Sequence, residues 1–103
     1  MKLKPGVKLA GLSPQMALAA VIVQSVYGSA SCTITSANDG KHSEKSLHYV
    51  GNALDFRTKD FFGDKTMLVS AIRSALGSEF DVVFEDEGGV QEHVHVEYDV
   101  KGD

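Results

Sequence analysis

The chain has 103 residues, a formal net charge of −4 and a single cysteine. That length gives room for one compact domain. The acidic balance argues against a dedicated nucleic-acid binder, which needs clustered Lys and Arg for phosphate contact, and the lone Cys32 excludes an intramolecular disulfide or a cysteine-caged zinc.

Residues 1–12 read as an N-terminal extension. Lys2 and Lys4 precede an apolar stretch, Met16 to Val23, but Gly6, Gly11 and Pro14 separate the two, and Gln24 ends the run early. A signal peptide is therefore not expected, and the run is too short to span a bilayer. The chain is expected to be made in the cytoplasm. Ser13-Pro14 opens a helix, with Ser as N-cap and Pro at the first helical position. Apolar residues carry this helix to Gly28 nearly all round, which predicts burial against a sheet. Cys32 to Ser36 is β-rich and predicts a strand, with Cys32 a small buried residue. Asn38-Asp39-Gly40 signals a turn, and the polar stretch Lys41 to Asn52 an ordered loop. Ala53 to Arg57 alternates and predicts a second strand. After Gly63-Asp64, Met67, Leu68, Ala71, Ile72 and Leu76 mark one face of a second helix, which Gly77 stops. Phe80 to Phe84 is a third strand, Glu85 to Val90 an acidic, Gly-rich connection, and His93 to Tyr98 the last strand. This order predicts an α+β domain: a small antiparallel sheet of about four strands with two helices packed on one face.

All four histidines fall in two short segments. His42 and His48 lie between Lys41 and Asp55; His93 and His95 lie in Glu92-His93-Val94-His95. Side chains on a strand alternate faces. His93, His95 and Glu97 then share one face, while Val94, Val96 and Tyr98 supply the other. Asp55 can project the same way as the histidines, and Gly51 allows the tight path that returns His48 towards it. Two imidazoles and a carboxylate with water as the fourth ligand are the donor set of an open zinc site. The expected ligands are His48, Asp55 and His95, for one zinc ion per chain. Zinc would lower the pKa of its water and polarise a carbonyl. Glu92, three residues before His95, is the candidate base, and His93 could donate to an oxyanion.

These residues resemble a known family. Ser46-x-His48-x-x-Gly51-x-Ala53-x-Asp55, followed by Glu92-x-x-His95, looks like the signature of the zinc D,D-peptidases. His42 to Tyr49 is closer still to the hedgehog signalling domain, which shares that fold. The resemblance covers roughly residues 30 to 99. It implies His48, Asp55 and His95 as zinc ligands, Glu92 as the catalytic acid/base and His93 as the histidine that steadies the transition state. It places Ser46 and His42 near substrate, and Arg57 could hold a substrate carboxylate. The family's arginine upstream of the first motif is missing from Ser36 to Gly40, and hedgehog's acidic calcium cluster is unmatched. In hedgehog domains the acid lies further upstream of His-x-His, so Glu85 or Glu87 could take Glu92's role. Three readings follow. The first is a monomeric zinc metallopeptidase of peptidoglycan stem peptides, a carboxypeptidase or endopeptidase. As a phage lysis enzyme it would act on the cell wall. The second is a hedgehog-like zinc-containing binding module without catalytic activity. The third is a zinc-free degenerate homologue.

Overall fold

The computed structural model describes residues 1–37 and 51–99. The elements run β1 (Lys2–Leu3), α1 (Pro14–Tyr27), β2 (Thr33–Ser36), β3 (Ala53–Arg57), α2 (Lys65–Leu76), β4 (Phe80–Glu85) and β5 (His93–Tyr98). They form one five-stranded sheet in the order β1-β2-β3-β5-β4. Every pairing is antiparallel except β1 with β2. The α+β class and the two helices stand as expected, and the sheet has one strand more than the sequence indicated.

That strand is β1, a two-residue parallel addition held by Lys2 N–H donating to Cys32 O and Lys4 N–H to Ile34 O. The N-terminal extension is thus part of the sheet, and Val7 and Leu12 pack against the core.

Both helices start at side-chain caps. Ser13 Oγ accepts from Met16 N–H at 3.2 Å, and Asp64 Oδ1 accepts from Met67 N–H at 3.1 Å. Each cap satisfies an amide that has no partner inside the helix. Gly28 and Gly77 terminate the helices with positive φ angles of 66° and 88°.

The core lies between the helices and one face of the sheet. Met16, Val23 and Tyr27 from α1 and Leu68 and Ile72 from α2 pack on Ile34, Phe56, Val82, Val94 and Val96. The alternation of β5 fixes what is left over. Val94 and Val96 are fully buried, while His93, His95 and Glu97 are half-buried on the opposite face. The register aligns Asp55 with His95 and Arg57 with His93 on one side of β5, and Val83 with His95 and Glu85 with His93 on the other. Residues opposite one another in such a ladder have Cβ atoms about 5 Å apart, so their side chains meet. The face of the sheet opposite α1 and α2 therefore carries two histidines flanked by carboxylates.

Candidate metal centre and its surroundings

His95 lies between two carboxylates. Its Nδ1 is 2.8 Å from Asp55 Oδ1, and its Nε2 is 2.8 Å from Glu97 Oε1. Burial works against a charged ring, but the hydrogen bonds and charges of Asp55 and Glu97 outweigh it and raise the His95 pKa to about 9. At neutral pH both ring nitrogens then carry protons and donate. A metal ion ligated by His95 would take the place of one of those protons.

His93 is the neighbour on the same face. Its Nε2 is 3.1 Å from Glu85 Oε1 and 3.9 Å from Asp55 Oδ2, and its Nδ1 is 2.6 Å from Gln91 O. Asp55 therefore reaches towards both histidines with different oxygens. Thr35 Oγ1 donates to Asp55 O at 3.4 Å and helps fix this part of β3.

Glu92 faces the other way. Even-numbered positions of β5 point to the helices, and Glu92 continues that set. It is only 5% exposed. Thr58 Oγ1 donates to its Oε1 at 2.6 Å, Lys65 Nζ lies 2.7 Å from the same oxygen, and Gly88 N–H donates to Oε2 at 2.8 Å. Burial alone would raise the Glu92 pKa, but Lys65, Thr58 and the Gly88 amide overcome it and bring it down to about 2. The carboxylate ties the start of α2 to the β4–β5 loop across the sheet from His95. Glu85, one of the two alternative acids that the resemblance offered, is instead on the histidine face, 3.1 Å from His93 Nε2.

Of the remaining expected site residues, Arg57 sits on the histidine face with its guanidinium 3.6 Å from Asp60, and its carbonyl accepts from Tyr27 Oη at 2.7 Å. Glu87 is exposed in the β4–β5 loop. His42, Ser46 and His48 lie outside the described residues, so the third expected zinc ligand does too. Asp55 and His95 are brought together as the zinc reading requires, with the nitrogen and carboxylate donors that suit the ion.

Glu97, which the sequence placed on the histidine face without a role, is hydrogen-bonded to His95. The signal was the i, i+2 spacing, which puts both on one face. Glu97 also forms, with Asp81 and Asp99, a group whose oxygens lie within 4.8 Å of one another, close enough to hold a cation.

The hedgehog amino-terminal signalling domain matches this chain over residues 12–97. Indian hedgehog B protein of Danio rerio is 42% identical over 57 residues, covering 55% of this chain and 13% of that protein. The chain belongs to the hedgehog amino-terminal signalling domain family. The peptidase reading is corrected by this match. Hedgehog domains are signalling proteins, so the zinc carboxypeptidase activity, the peptidoglycan substrate and the endolysin role expected from the shared motif do not hold. Among the described residues no helix is long and apolar enough to cross a membrane.

Proposed function

We propose that this chain is a signalling module of the hedgehog amino-terminal type, which holds one zinc ion through His48, Asp55 and His95 and works by binding a protein partner. The observation that carries the reading is the family match over residues 12–97, which spans both histidine segments. Two features of the site support it. Asp55 and His95 stand side by side at 2.8 Å with donors of the right chemistry. Glu92, the acid that hydrolysis would have recruited, is spent on Lys65 and Thr58 on the opposite face.

When bound, zinc would supply a fixed positive charge and link β3 and β5 to His48. The protein's own part is to orient the ligands. Thr35 braces the β3 backbone at Asp55, and Glu97 fixes the His95 ring from its far nitrogen, as partners of metal-bound histidines do.

The test is metal content together with hydrolysis. Purified protein equilibrated with zinc and then dialysed should retain about one zinc per chain. The His95→Ala and Asp55→Asn variants should each lose most of it. The zinc-loaded protein should release no more amino groups from purified peptidoglycan than buffer does. Release above that level, or a zinc content that the variants leave unchanged, would overturn the proposal.

A further inference from the structure

The sheet order leaves β4 at one edge, with no strand beyond it among the described residues. The other edge, β1, has only two residues, whereas β4 runs for six. In an antiparallel pair, alternate residues turn their amides towards the neighbour and the rest turn them away. Phe80 N–H donates to Gly77 O, and Val82 O accepts from Arg73, so the even-numbered residues of β4 face outward. The same alternation turns the Val82 N–H and both backbone groups of Phe84 out at this edge.

Arg73 covers the edge at one point. Its Nε and Nη2 donate to Val82 O at 3.1 and 2.9 Å. Around it runs a groove of about 640 Å³ between the C-terminal end of α2 and β4, lined by Arg73, Ser78, Phe80, Asp81, Val83 and Glu97. Exposed edges of this kind are templates for a further strand.

Charge decides what strand fits. Asp81 and Glu97 line the groove, Glu85 ends the strand, and Glu79 and Asp86 flank it. A second copy of this chain would bring the same carboxylates against these. A strand carrying Lys or Arg complements them. The periodicity refines this: on the histidine face the added strand meets Asp81, Val83 and Glu85 in turn, so it wants a basic, an apolar and a basic residue at every second position.

We propose that the outer edge of β4 docks an extended basic segment of a partner protein by strand addition, with Arg73 as the latch that the segment displaces from Val82 O. This surface adjoins the zinc site through Glu97 and Glu85, but strand addition uses the backbone of β4 and does not require bound zinc.

The probe is the peptide acetyl-Lys-Thr-Val-Thr-Lys-amide, titrated into the full chain and followed by amide chemical shifts. The expected result is saturable binding whose largest shifts fall on Val82 and Phe84. The analogue with both lysines replaced by glutamate should bind at least about tenfold more weakly. A version methylated on every backbone nitrogen should not bind. The Arg73→Ala variant should bind the lysine peptide more tightly, because the latch is gone and the edge is more acidic. Absence of binding, equal binding of the glutamate or methylated peptide, largest shifts away from β4, or weaker binding by Arg73→Ala would overturn the proposal. The peptide comparisons use the native chain, so they stand even if Arg73→Ala does not fold.

Discussion

At the scale of single residues, Glu92 shows how one position can satisfy a motif and yet do something else. The Glu-x-x-His spacing drew it towards the zinc site, but β5 alternation puts it with Val94 and Val96 on the helix side. There it meets Lys65 and Thr58. Removing one member of a buried charged pair leaves the other without its partner, and hydrogen bonds to a charged group contribute about 1.5–3 kcal/mol each. Glu92→Gln should therefore lower stability by about 2 kcal/mol at neutral pH, measured by urea unfolding. The folded pKa of Glu92, about 2, lies below its ordinary value of 4.5. Its contribution is thus fully present above about pH 5 and fades as pH falls towards 2. The native protein should lose roughly 2 to 3 kcal/mol more than the Gln variant across that range. Parallel pH profiles of the two proteins would show that Glu92 is not the anchor described.

At the scale of elements, most of the fold was legible because each strong signal had a local cause. Ser13-Pro14 marked the first helix, and its Oγ does accept from Met16 N–H. Gly77 closes the second helix, and β3 and β5 occupy the alternating runs that were read as strands. β1 was not legible. Two residues carry no periodicity, and a parallel edge pairing is set by tertiary contact. The shared face of Asp55, His93 and His95 could be read from alternation alone. The partners of Glu92 could not, because Lys65 comes from a helix whose docking onto the sheet is a property of the packed core. Gly51 is a further link between elements. Its φ is +77°, and a Cβ there would press on the Gly11 carbonyl oxygen. Its own carbonyl accepts from Ser13 N–H at 2.9 Å, beside the α1 cap. Gly51→Ala thus meets both a left-handed backbone and a backbone clash. It should cost at least about 2 kcal/mol in urea unfolding. A stability equal to that of the native protein would mean that residues 1–12 do not hold this contact in solution.

At the scale of the whole molecule, a domain of this size has a small core, so a metal that bridges its strands adds a visible share of the total stability. Zinc at a hundredfold excess over its Kd should contribute about 2.7 kcal/mol. In a domain of about this length that corresponds to a rise in Tm of about 10 °C, reversed by a chelator. Asp55→Asn and His95→Ala should abolish most of the rise. Glu92→Gln gives the contrast that separates the site from general stability. It should start from a lower Tm and still gain nearly the full increment, because its carboxylate lies across the sheet from His95. If Glu92→Gln lost the increment as completely as His95→Ala, the two faces of the sheet would have to act as one site. If zinc left the Tm of the native protein unchanged, Asp55 and His95 would be holding one another and no metal.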